Sequence, residues 1–125
     1  MNILILLTMI FLHIVDDYYL QGILASMKQK AWWKENAPEP LYKYDYIVAL
    51  MEHAFSWAFM IMLPVGIYTV FYDKSIVLII ITFLINWIIH SIVDHLKANV
   101  KVINLVTDQV IHVLQIIVTW VCLIN

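Results

Sequence analysis

Apolar residues run almost without interruption through four stretches of this chain, and the polar residues that break them recur at helical spacing. Ile3 to Leu7 and Met9 to Leu12 are apolar, after which His13, Asp17 and Gln21 follow at intervals of four, a single stripe on a helix. Asn86, His90 and Asp94 repeat that interval at the end of the run from Ile76 to Ile89, and Asn104, Asp108, His112 and Gln115 follow at four, four and three. Each apolar stretch reaches the roughly 20 residues needed to cross a hydrocarbon core. The pattern predicts an all-α polytopic membrane protein, an antiparallel four-transmembrane-helix bundle with helices over 3–26, 46–71, 75–97 and 102–124. An interfacial connection over 27–45 completes a single domain over 1–125.

Composition sharpens this reading. The chain of 125 residues is 64% apolar with only two glycines and three prolines, against about half apolar in soluble proteins. The spans use most of the chain, which leaves no room for a soluble module. The formal charge of -2 gives no reason to expect a nucleic-acid partner. All the basic residues are lysines: Lys28, Lys30, Lys34, Lys43, Lys97 and Lys101 fall in or beside the first and third connections, and only Lys74 lies in the second. The positive-inside rule then puts those two connections in the cytoplasm and both termini on the other side of the membrane. The N-terminal segment lacks a basic start and a clear small-residue cleavage site and carries His13 and Asp17, so it reads as a retained helix. Cys122 is the only cysteine, which excludes a multi-cysteine metal site and reads as packing.

The first connection alternates Trp32, Trp33, Tyr42, Tyr44 and Tyr46 with lysines and ends its first half at Pro38 and Pro40. That composition suits the headgroup layer, as an interfacial segment or as a lid over a lipid or phosphate-bearing substrate. In the second helix Glu52 and His53 lie about two turns inside, Trp57 is one turn past His53, and Pro64 with Gly66 predicts a kink. The second connection, at Tyr72-Asp73-Lys74, is short enough to make its two helices antiparallel neighbours.

Antiparallel topology gives the polar pairs a common geometry. Helices one and three carry His-x-x-x-Asp and helix four carries Asp-x-x-x-His. Reversing direction and order together places His13, His90 and His112 in one tier and Asp17, Asp94 and Asp108 in another, about 6 Å away, with His53 in reach of either. A carboxylate at mid-membrane costs about 2.5–3.5 kcal/mol on insertion scales. With no arginine in the chain and lysines that read as peripheral, a divalent transition metal is the expected counter-charge: zinc first, manganese or iron as alternatives, as one or two ions. The candidate ligands are His13, Asp17, His53, His90, Asp94, Asp108 and His112. Gln21, Glu52 and Lys97 are expected to support them or touch substrate, while Asp16, on a neighbouring face, is either a supporting partner or solvent-directed. His95 lies off the stripe. The accompanying aspartates argue against a haem held by opposed histidines. Sparse polar residues in the far half argue against a proton or cation path open on both sides.

The motifs His13-Ile-Val-Asp-Asp17-Tyr-Tyr-Leu-Gln21, Glu52-His53-Ala, His90-Ser-Ile-Val-Asp94-His-Leu-Lys97 and Asp108-Gln109-Val-Ile-His112 resemble a family of small four-helix membrane proteins of bacteria and their phages, itself similar to inner-membrane metal-dependent hydrolases. The resemblance spans nearly the whole chain and implies hydrolytic chemistry. It implies the same polar core, with Gln21, Lys97 and Gln109 accessory. Some members carry a further histidine one turn after the one on helix two, where this chain has Trp57. The expectation is therefore an intramembrane metal-dependent hydrolase of a lipid-linked ester or phosphoester at the cytoplasmic side, with Asp94 or Asp108 accepting a proton. The alternatives are a metal or proton transporter and a non-enzymatic membrane effector with a structural metal. Its partners would be the lipid bilayer, a lipid-linked substrate and, as an open option, further copies of itself.

Overall fold

Mostly apolar residues, broken by Thr8 and His13, carry α1 over Asn2–Val15, and one extra residue in the next turn widens it into a π-helix over Asp16–Leu20. That turn is marked by the bond from the Gln21 N–H to the Asp16 carbonyl at 3.2 Å, and Gly22 then ends the helix at φ +52°. The computed structural model describes residues 2–72 and 75–124. After the glycine come two short helices, α2 (Leu24–Met27) and α3 (Lys30–Asn36), and a 3-10 turn over Pro40–Tyr42. The helix expected over 3–26 is thus divided near Gly22, because only a positive φ lets the chain turn there.

The longest helix, α4 (Asp45–Tyr72), continues through Pro64 without a break. The next, α5 (Ile76–His95), also ends in a π-helix, Leu96–Val100, and turns at Lys101, which has φ 62°. The N–H of Val102 closes that turn on the Leu96 carbonyl at 3.1 Å. The last helix, α6 (Leu105–Ile124), starts at Asn104, whose Oδ1 accepts the Thr107 N–H at 2.9 Å. The expected short link through Asp73 and Lys74 falls on residues outside those described.

Among the described residues, four segments are long and apolar enough to cross a membrane: Asn2–Leu20, Pro40–Tyr72, Ile76–Val100 and Leu105–Ile124. Their burial pattern inverts that of a soluble protein. Phe11, Phe59, Val70, Ile80 and Val118 are exposed, while His13, His53, His90, Asp94, Asp108 and His112 are buried. The interior has two storeys. One is apolar, built by Met9, Trp57, Ile61, Val65, Ile116 and Leu123. The other holds the polar residues, which come from the C-terminal parts of α1 and α5 and the N-terminal parts of α4 and α6. Ala49, Ala54 and Ala58 are buried along α4, and such small side chains let helices approach closely.

Candidate metal centre

Among the described residues two triads of donor atoms share His90: Asp17 with His53 and His90, and His90 with Asp94 and His112, the chosen atoms of each lying within 4.8 Å of one another. All of these residues are buried, and they come from all four long segments. His53 Nε2 is 3.4 Å from Asp17 Oδ1, 3.2 Å from Asp94 Oδ2 and 3.2 Å from His90 Nε2. Asp94 Oδ1 is 3.4 Å from His112 Nε2 and 3.8 Å from His90 Nε2. A tetrahedral zinc with ligands at about 2.0–2.2 Å separates them by about 3.3–3.6 Å, close to the spacings found within and between the two triads. This buried group of histidines and aspartates can hold a metal ion.

The hydrogen bonds around His112 support the same fit. Gln115 turns its amide nitrogen to the carbonyl and side-chain oxygens of Asn86, at 3.4 and 3.3 Å, which leaves its Oε1 to accept the His112 Nδ1–H at 3.1 Å. With the proton on Nδ1, the Nε2 lone pair of the neutral ring faces Asp94 Oδ1 and Asp108 Oδ1, at 3.4 and 3.3 Å. A lone pair against two carboxylates requires a positive charge between them, from a second ring proton or a cation. Gln115 was visible on the polar stripe of the sequence but had no assigned role. Its distance of three from His112 was the available signal.

His13 and Asp108 stand beside the triads. The Trp57 Nε1–H donates to His13 Nδ1 at 2.7 Å, so His13 Nε2 carries the proton and donates to Gln109 Oε1 at 3.0 Å. Gln109 Nε2 in turn donates to Asp17 Oδ2 at 2.8 Å and to Asp108 Oδ2 at 3.1 Å. His13 therefore spends one ring nitrogen on Trp57 and the other on Gln109, which orients two carboxylates. Trp57 also lies against the His90 ring, with centroids 4.1 Å apart and planes 17° apart. One turn past His53, Trp57 is thus a buried indole that fixes two imidazoles.

The lysines correct one premise of the sequence reading. Lys28 and Lys97 are not peripheral: Lys28 Nζ meets Asp94 Oδ2 and Lys97 Nζ meets Asp108 Oδ2, each at 2.6 Å. Long aliphatic stems let lysines at helix ends carry their charge inward as readily as outward. The protein itself supplies part of the counter-charge. The carboxylates Asp17, Asp94 and Asp108 still outnumber the two ammonium groups by one. Asp16 is also buried, its Oδ1 accepting the Ser56 hydroxyl at 2.6 Å, so the solvent-directed option for it is excluded.

Of the remaining expected helpers, Gln21 donates to the Asp17 carbonyl and accepts from Lys28 Nζ at 3.1 Å. Glu52 is exposed and stays outside the cluster, since one residue from His53 turns it about 100° away. His95 stacks on Tyr46 at 6.1 Å. Comparison of the chain with family models, with curated proteins and with solved structures finds no match. The functional reading therefore rests on the site itself.

Proposed function

We propose that the chain is an integral protein of the bacterial cytoplasmic membrane, an antiparallel bundle whose metal centre hydrolyses a lipid-linked ester or phosphoester at the cytoplasmic side. The observation that carries this reading is the convergence of Asp17, His53, His90, Asp94 and His112 from four membrane-length segments at metal-ligand spacing. The inverted burial and the lysine-rich connections support insertion and orientation. The nitrogen-rich donor set favours zinc, with manganese or iron as the alternatives. Bound there, a divalent ion supplies Lewis-acid polarisation of the scissile oxygen and acidifies water.

The chain's own residues divide the remaining work. Asp94 gives Oδ2 to Lys28 and belongs to a triad, whereas Asp108 gives Oδ2 to Lys97 and stands outside both triads, its Oδ1 facing His112 Nε2 at 3.3 Å. Asp108 is thus the better proton acceptor of the two expected. Lys97, with its side chain 27% exposed, is the more open of the paired lysines and is suited to meet a phosphate oxygen.

Elemental analysis of the detergent-purified protein is expected to find about one transition metal per chain. His90→Ala should lose it, and Gln115→Leu should weaken binding by about 10–100-fold by freeing the His112 tautomer. Metal-free wild-type protein, with activity and composition unchanged in His90→Ala, would sink the reading. The lysine–aspartate pairs favour a second reading, a non-enzymatic protein whose polar core is neutralised from within. That reading predicts a folded, functional protein without metal. Metal-dependent flux into liposomes without lipid turnover would indicate a transporter.

A further inference from the structure

The first connection folds back on the start of α4 and encloses a cleft of about 590 Å³, apart from the metal centre. Its charged lining is Lys30, Lys34 and Lys43 against the single carboxylate Glu39, a surplus of two positive charges. Among the described residues none of these lysines is ion-paired with a carboxylate; Lys30 Nζ lies 4.9 Å over the Tyr46 ring and Lys43 Nζ 5.2 Å over the Tyr44 ring. The walls are held in shape. Trp33 stacks on Tyr42 with centroids 6.4 Å apart, and its Nε1–H donates to the Met27 carbonyl at 2.6 Å. Asn99 clamps the adjoining backbone, its Oδ1 accepting the Lys30 N–H at 2.7 Å and its Nδ2 donating to the Lys28 carbonyl at 2.9 Å.

We propose that this cleft binds the phosphate-bearing headgroup of an anionic phospholipid. The rim identifies a lipid as the source of the phosphate. Leu41 is 79% exposed and Tyr44 63% exposed beside the lysines, an apolar and an amphipathic side chain placed to enter a bilayer interface. A soluble phosphate would meet the lysines and leave Leu41 in water. The site rests on the membrane reading given above, not on the hydrolase reading. Through the Asn99 clamp its wall is continuous with Lys28, the residue that holds Asp94, so an occupied cleft and the metal centre share one segment of backbone.

The test uses the full chain in detergent, stripped of metal by a chelator so that failure of the hydrolase reading leaves it untouched. Thermal unfolding is followed with short-chain phosphatidylglycerol, short-chain phosphatidylcholine or glycerol phosphate below micellar concentrations. Phosphatidylglycerol should raise the midpoint and phosphatidylcholine should not. The exposed triple variant K30Q/K34Q/K43Q should need about tenfold more phosphatidylglycerol or beyond, while K101Q, which removes a lysine elsewhere, should behave as wild type. Equal shifts with the two lipids, or an unchanged titration in the triple variant, overturns the cleft. Glycerol phosphate as effective as phosphatidylglycerol overturns the assignment to a lipid.

Discussion

Asp94 carries two loads, since its Oδ2 takes Lys28 Nζ at 2.6 Å while its Oδ1 lies 3.4 Å from His112 Nε2. Both side chains of the lysine pair are almost out of solvent, 8% and 1% exposed. Removing one charge from such a pair leaves the other buried without compensation, at a cost of about 3–5 kcal/mol. Lys28→Met should therefore lower the melting temperature of the metal-free protein sharply, and Lys28→Met with Asp94→Asn should recover most of the loss. Lys97→Met should cost less, because the Lys97 side chain is 27% exposed and water can reach the pair. Equal losses in the two lysine variants, or no recovery in the double variant, would count against these pairs as the source of stability. The sequence placed Lys28 in a connection and gave no sign of this contact. A lysine at a helix end reaches several ångströms in either direction, and spacing along the chain does not record which.

At the scale of elements, the long apolar segments and the stripes on them were legible, because composition and an interval of four report directly on helices. The two π-helices were not. A π turn leaves no periodic mark of its own, and Asp16–Leu20 and Leu96–Val100 were read as ordinary helix or connection. Their position has a consequence for the site: Asp17 belongs to the first and Lys97 to the second, so local widening re-aims residues that contact the cluster. Trp57 was seen one turn from His53, but its bond to His13 depends on helix rotations that the sequence does not contain. The glycines separate in the same way. Gly22 has φ +52° and nothing closer than the Leu20 carbonyl at 3.9 Å, whereas Gly66 lies in a helix with open space where a Cβ would stand. Gly22→Ala should destabilise the protein by about 1 kcal/mol through backbone conformation alone. Gly66→Ala should be neutral or stabilising by roughly 0.5–1 kcal/mol. Thermal melts of the two variants in one detergent compare them directly, and a larger loss at Gly66 would contradict the assignment.

For the whole molecule, the proposed membrane insertion makes the direction of the helices decide which compartment meets the cluster. The polar storey is formed beside the two connections that hold the 27–45 and 97–101 lysines, and the opposite storey is apolar. If those connections face the cytoplasm, any substrate must arrive from the cytoplasmic leaflet, whose anionic lipids attract lysines by about 1 kcal/mol each. Orientation can be read without knowing the chemistry. Glu39 is exposed in the first connection, where it lines the cleft, and the lone cysteine, Cys122, is exposed on α6, so it is first replaced by serine. In that background Glu39→Cys should stay unlabelled by a membrane-impermeant maleimide on intact spheroplasts and label fully once the membrane is permeabilised. Labelling of intact spheroplasts would place the lysine-rich connections outside, against the positive-inside rule. The cluster would then face the opposite compartment. That result would retire the cytoplasmic-side hydrolase while leaving the metal-ligand spacing of His53, His90 and Asp94 as it stands.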